Sequence, residues 1–285
     1  MMDNLTFRKL SFTETKTLVD WAATEGWNPG PHDAEVFYAL DPDGFYGFFD
    51  HGEMVAGGSV VSYSGDFGFM GFFIVKPEYR SKGVGRKLWY LRRDTLLRRL
   101  KPGASIGMDG VVAMQDFYKK GGFEIAFRDE RYEKTGMAFE IHPNVSVITT
   151  NDLLAVLAYD KQCFGFERPQ FMISWLKLTG TRAFKFMEGG TLKGFAVIRK
   201  VNPGYKVCPL FADVGVVAEE LYKACLNAVA GEPLYLDIPV INKAAMNLVK
   251  KFKATYIFEC ARMYFGNPPT VDVNKIFGIT TFELG

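Results

Sequence analysis

Apolar and polar positions divide the chain into short elements separated by turn residues. Residues 5–10 alternate as a short strand, and residues 13–23 place Leu18, Val19 and Ala22 at helical spacing behind an acidic first turn. A loop rich in Gly and Pro covers residues 26–31, and a second short helix at 34–40 ends in Asp41-Pro42-Asp43-Gly44. Residues 45–49 and 54–63 flank the turn Asp50-His51-Gly52-Glu53 and predict a hairpin. Residues 67–75 form a near-continuous apolar run, the pattern of a strand buried on both faces. A long amphipathic helix follows at 86–100, then a strand at 105–108, a helix at 114–120 and a strand at 123–127.

After Gly136 the pattern begins again. Residues 139–147 read as a connection between domains. Helices are expected at 151–161 and 169–178, a hairpin at 183–187 and 192–200, and a strand at 205–210. A helix at 214–230, a strand at 234–238, a helix at 243–252 and a strand at 255–264 complete the series. The order matches the first half, which points to a duplication. Gly52 aligns with Gly189 and Gly57 with Gly194 at an offset of 137 residues, while Phe123 aligns with Ala254 and Arg131 with Arg262 at an offset of 131.

Composition adds few constraints: 48% hydrophobic and 23% charged over 285 residues is ordinary globular usage with material for one or two cores. A formal charge of +2 is too balanced for a nucleic-acid or polybasic membrane binder, so any bound anion must be held by local geometry. Cys163, Cys208, Cys225 and Cys260 each sit in apolar surroundings without a CxxC pair, which predicts reduced, buried thiols and no metal site. The first ten residues lack the apolar core of a signal peptide, and the run at 67–75 is too short for a membrane helix. The expectation is a cytoplasmic protein.

The chemistry concentrates after that buried run, in Val75-Lys76-Pro77-Glu78-Tyr79-Arg80-Ser81-Lys82-Gly83-Val84-Gly85-Arg86. Here a strand leads through two glycines into a helix. A helix start leaves about four N–H groups unpaired and carries roughly half a positive charge, and glycine lets an anion come close to them. The two alternatives fail on spacing: a P-loop needs GxxxxGK[ST], and a dinucleotide fingerprint needs GxGxxG with a later acidic residue. The pattern present is R-x-x-G-x-G, with Arg80, Gly83 and Gly85 in place.

That pattern, preceded by a buried strand and followed by an amphipathic helix, closely resembles the coenzyme A pyrophosphate loop of the GNAT N-acetyltransferases. Tyr118-Lys119-Lys120-Gly121-Gly122-Phe123 resembles the family's later Y-x-x-x-G-F signature. Glu25-Gly26-Trp27-Asn28-Pro29-Gly30, Asp109-Gly110-Val111 and Arg262-Met263 are similar to tandem GNAT proteins of the YitH-like type, and the likeness spans nearly the whole chain. The resemblance implies an α/β fold of two GNAT-like domains, about 1–138 and 145–285, each a mixed, mostly antiparallel sheet flanked by helices. It implies that backbone groups of Phe73, Ile74 and Val75 bind the pantetheine arm of acetyl-CoA. Arg80 with Ser81, Lys82, Gly83, Val84, Gly85 and Arg86 then holds the pyrophosphate. Tyr118 becomes the acid that protonates the departing thiolate; a phenol of pKa about 10 stays protonated at neutral pH. The family's asparagine, seven residues before the tyrosine, falls on Val111. In the second half the matching loop is Phe211-Ala212-Asp213-Val214-Gly215, without RxxGxG, and the tyrosine position is Val249, so this half is expected to be degenerate.

The general base is not marked. An amine of pKa about 10 is roughly 0.1% neutral at pH 7, a handicap of about 4 kcal/mol that a base relieves. Asp109, at a strand end, is the first candidate; Asp66, Glu25, Asp33 and His32 are others. Trp27 and Asn28, between the first two helices, are candidate acceptor contacts, as are Asp237 and Asn242 from the second half. The basic cluster Arg92, Arg93, Arg98, Arg99 and Lys101 reads as a solvated helix face, with contact to the cofactor's 3′-phosphate as the alternative. The leading expectation is acetyl or short-acyl transfer to a small amine by direct attack, because no cysteine lies in motif position. A protein acceptor and a non-catalytic acyl-CoA-binding protein are the competing readings.

Overall fold

The computed structural model describes residues 5–285. The N-terminal half runs β1 (Thr6–Lys9), α1 (Phe12–Thr24), α2 (Asp33–Leu40), β2 (Phe45–Asp50), β3 (Glu53–Tyr63), β4 (Phe67–Val75), α3 (Val84–Leu97), β5 (Ser105–Val111), α4 (Gln115–Lys120) and β6 (Glu124–Thr135). The C-terminal half runs β7 (Val145–Val147), α5 (Leu153–Phe164), α6 (Pro169–Lys177), β8 (Arg182–Glu188), β9 (Thr191–Lys200) and β10 (Tyr205–Ala212). It continues through α7 (Gly215–Ala228), β11 (Pro233–Pro239), α8 (Lys243–Lys251), β12 (Thr255–Phe265) and β13 (Ile276–Gly278). Ser11 opens α1 with a capping box in which its hydroxyl accepts from Glu14 N–H and the Glu14 carboxylate accepts from Ser11 N–H, tying down two orphan donors.

All strands join one 13-stranded sheet, ordered β1-β2-β3-β4-β5-β12-β6-β11-β10-β9-β8-β7, with β13 beside β10. Among the described strands, β4–β5 and β10–β11 pair in parallel and the other pairs are antiparallel. The halves exchange their late strands: β12 lies against β5, and β6 lies against β11. Where β6 meets β12, Asp129 faces Cys260, Phe127 faces Arg262 and Arg131 faces Phe258. A local two-fold axis therefore passes by Asp129 and Cys260, and the sheet continues from one half to the other through β12 and β6. Residues 139–147, read as a connection, end in the edge strand β7.

The exchange explains why β6 reaches Thr135 when its sequence, Glu124-Ile125-Ala126-Phe127-Arg128-Asp129-Glu130-Arg131, looks like a strand only at its start. Arg131 is 2% exposed and gives a bidentate pair to Asp237 on β11, at 2.6 and 2.7 Å. Arg262 on β12 gives the same pair to Asp109 on β5, at 2.7 and 2.9 Å. Such buried pairs gain little over apolar packing but are strongly destabilising to break on one side. The largest apolar cluster also draws on both halves: Phe37 of α2 stacks on Trp175 of α6 at 6.0 Å and leans on Phe72 of β4 at 5.8 Å. The four cysteines are buried and unpaired.

Candidate active site

β4 and β5 pair from Phe67 with Ser105 to Met70 with Met108, then part. The parting begins at a bulge. Ser59 of β3 faces Gly71 but Gly57 faces Ile74, so β4 carries one extra residue there, and Phe72 takes φ +49°. The fully buried Arg92 of α3 clamps the bulge by donating to the carbonyls of Ser59 and, at 2.6 Å, Gly71. This corrects the solvated-face reading of the basic cluster. Arg92 belongs to the core, and Arg99 is fastened to both oxygens of Asp41 at 2.7 Å.

Ile74 and Val75 keep β3 on one side, and on the other side, where β5 has parted, Phe73, Ile74 and Val75 line a cavity of about 600 Å³. At its mouth Gly83, at φ +81°, caps α3 without a side chain. The first helical bond from the cap runs from Lys87 N–H to Gly83, which leaves the N–H groups of Val84, Gly85 and Arg86 at the open end. Arg80, Ser81, Gly83, Gly85 and Arg86 line the cavity. Lys82 and the Val84 side chain do not: Lys82 lies over the Tyr79 ring, and Val84 is buried against Leu88. Arg80 is bound to the Val75 carbonyl and to Glu25, so it braces the loop. The cradle fits a diphosphate: free amides, a glycine in the left-handed region where a Cβ is strained, and flanking cations.

Tyr118 of α4 is 4% exposed and lines the cavity between Phe73 and Trp89, whose ring centroids lie 6.4 and 6.3 Å away. Burial pushes its hydroxyl above the ordinary phenol range, with Arg92 pulling the other way, so it stays protonated. Asp109 also lines the cavity. Burial pushes it up to about 6 against Arg262, whose guanidinium occupies both carboxylate oxygens. Cys260, brought in by β12, faces the same space; burial beside Asp109 and Asp129 pushes its thiol well up, so it is a poor nucleophile.

The other expected site residues separate cleanly. Trp27 lines the cavity, and its carbonyl accepts from Arg131 at 3.3 Å. Asn28 does not line it; its Oδ1 accepts from Asn202 N–H at 3.0 Å and its carbonyl from Lys206 at 3.2 Å, so it docks the loop onto the other half. Asp237 and Asn242 also lie outside the cavity lining. Asp237 is consumed by Arg131, while the Asn242 side chain caps α8 and donates to the carbonyls of Val273, Asn274 and Ile276. Among the other base candidates, Asp33 is buried against Arg199 and Gly30, Asp66 meets Lys101 at the surface, and His32 meets Glu35. Residues far along the chain complete the wall: Phe258 from β12, and Phe282 with Glu283 from the last segment. The local pattern gave no sign of these, because their place is set by the strand exchange and by a tail that returns across the sheet.

Two family profiles match the chain: one described as "Acetyltransferase (GNAT) family" over residues 12–123, the other as "Acetyltransferase (GNAT) domain" over 156–278. The holothin acyltransferase of Pseudoalteromonas sp. (strain SANK 73390) is 30% identical over 282 residues, which is 98% of this chain and 94% of that protein. A putative acetyltransferase from Pyrococcus horikoshii superposes with a TM-score of 0.84 at 24% identity, covering 99% of this chain and 96% of its own. A tandem GNAT protein from the clavulanic acid biosynthesis pathway superposes with a TM-score of 0.65 at 12% identity, covering 93% and 99%. These two share the fold. With a duplicated order of elements, an amide cradle on one half only and a full-length relative, the chain belongs to the GNAT family of acyl-CoA-dependent acyltransferases, as a tandem of two GNAT domains.

Proposed function

We propose that the protein transfers an acetyl or other short acyl group from acetyl-CoA to a small-molecule amine by direct attack. The observation that carries this reading is the continuity of one cavity from the amide cradle of α3, along the unpaired edge of β4, to Tyr118. Backbone groups of Phe73, Ile74 and Val75 bind the pantetheine arm as an added strand would be bound, and the segment from Ser81 to Arg86 takes the pyrophosphate. The bound thioester supplies the activated acyl group. Tyr118 donates a proton to the departing sulfur. Trp27 and Phe258 wall an apolar pocket for the acceptor, which favours a compact amine over a protein tail. Asp109 acts as a positioning residue through Arg262, since both its oxygens are taken. Direct attack also agrees with the protonated state of Cys260.

The test is calorimetric titration with acetyl-CoA, followed by thiol release over a panel of primary amines. Saturable binding and amine-dependent thiol release are expected. Binding without turnover on any amine points instead to a non-catalytic acyl-CoA-binding protein.

A further inference from the structure

We infer that Glu283, delivered by the last segment of the chain, is the catalytic base that removes the proton from the attacking amine. This rests on the acyl-transfer reading above. The cavity lining offers three carboxylates: Glu25, Asp109 and Glu283. Glu25 is paired with Arg80 and Asp109 with Arg262. Glu283 is 4% exposed, and its Oε2 is buried with no hydrogen-bond partner among the described residues. A carboxylate oxygen left so is costly, and such groups mark places where a ligand or water completes the bonding.

The backbone around Glu283 is firmly held. Tyr63 donates its hydroxyl to the Leu284 carbonyl at 2.6 Å, Leu284 N–H donates to Thr281 Oγ1 at 2.8 Å, and Arg168 donates to Thr280 Oγ1 at 2.7 Å. The Glu283 carbonyl lies against Gly71, where a Cβ would come within 2.1 Å of it. Gly71 is the β4 residue just before the bulge, where the strand leaves β5 and the cavity opens. Glu283 thus sits at the head of the channel, on the side away from the phosphate cradle.

Electrostatics suit the role. Burial raises Glu283 above the ordinary carboxylate range, Lys206, Arg199 and Arg131 pull it down, and Asp33 pushes it up. A carboxylate whose pKa is raised accepts a proton more strongly than an ordinary one. In the step, the amine nitrogen forms the C–N bond of the product amide as the C–S bond breaks. The nitrogen's proton goes to Glu283, the sulfur takes one from Tyr118, and both residues return to their starting states by exchange with solvent.

The test uses the full chain with acetyl-CoA and primary amines from aniline to benzylamine. In E283Q, kcat is expected to fall about 100-fold with acetyl-CoA affinity unchanged within twofold, the range of a lost base. The acidic limb of the wild-type pH profile should vanish in E283Q, and the loss should be larger with benzylamine, whose ammonium form must shed a proton, than with aniline. If E283Q does not fold, E283D decides: it should keep the acidic limb at reduced kcat. E283Q turning over within threefold of wild type overturns the inference, as does a 100-fold loss in D109N with E283Q nearly intact, or a wild-type and E283D profile flat from acid to base. A wild type that binds acetyl-CoA but acylates none of the amines overturns the acyl-transfer reading itself, and the role of Glu283 with it.

Discussion

In the N-terminal half, β4 and β5 pair over four residues each and then diverge, and the gap opens into the cavity. In the C-terminal half, β10 and β11 pair over three residues each and likewise diverge, but here β13 fills the gap. Leu210 pairs with Gly278 and Phe211 with Ile276, Ile279 N–H donates to the Asp237 carbonyl at 2.9 Å, and Phe277 is fully buried. The strand edge left open in one half has been given a strand of its own chain in the other. The entrance is closed too. Asp213 stands where the cradle would be, held by Tyr159 at 2.8 Å and Lys275 at 3.0 Å, and these bonds keep its carboxyl below the ordinary range despite its burial. Asn242, expected to touch substrate, straps the plug in place. The same segment then continues to Glu283 on the open half.

The largest effects should fall on the exchanged ion pairs. Arg131→Met and Arg262→Met each strand a buried carboxylate and should cost about 4 kcal/mol, read from chemical denaturation. Equal losses support a symmetric structural role; an unshifted midpoint in either variant breaks it. Next is the cradle. Gly83→Asp should weaken acetyl-CoA binding by about 100-fold, or about 2.7 kcal/mol, by calorimetry, through a strained φ and a like charge. Asp213→Gly in the other half should leave that affinity within twofold, because β13 still occupies the gap; a second binding event in that variant would refute the plug. Tyr118→Phe should lower kcat some 30-fold, about 2 kcal/mol, with KM little changed, since only the proton donor is lost.

The smallest effect concerns Asp129, on the axis between the halves. It is buried, neither carboxylate oxygen has a hydrogen-bond partner among the described residues, and burial raises it well above the carboxylate range against the pull of Arg262 and with a push from Asp109 and Asp237. With the folded value above the unfolded one, its contribution to stability is whole below about pH 4 and is lost as pH rises through the folded value. Asp129→Asn should therefore gain about 1 kcal/mol at pH 8 and nothing at pH 4, measured as the difference in denaturation midpoints. A gain that is constant with pH would show that the carboxyl is not the cause.

Most elements were legible from periodicity, because an amphipathic helix or an alternating strand carries its burial pattern in adjacent residues. The loop that opens α3 was equally legible, since Gly83 and Gly85 shape one continuous stretch of backbone and Arg80 braces it from within. The rest failed for a common reason. Arg92 reads as a surface residue until β3 and β4 supply carbonyls and Gly58 makes room, where a Cβ would come within 2.2 Å of it. Asp129 and Arg131 make β6 look like a loop because the partner of Arg131 comes from β11. Asp237 resembles a site residue at a strand end until that pair is seen.

Local sequence is enough to read two similar halves, and a glycine-turned helix start on the first that the second lacks, because these depend on propensities and backbone freedom within a few residues. Tertiary structure alone decided the strand exchange, the plug of β13 and the arrival of Glu283 beside Gly71. Each of these joins residues far apart in the chain, and their stabilisation comes from pairing charges and backbone edges that local sequence leaves without partners.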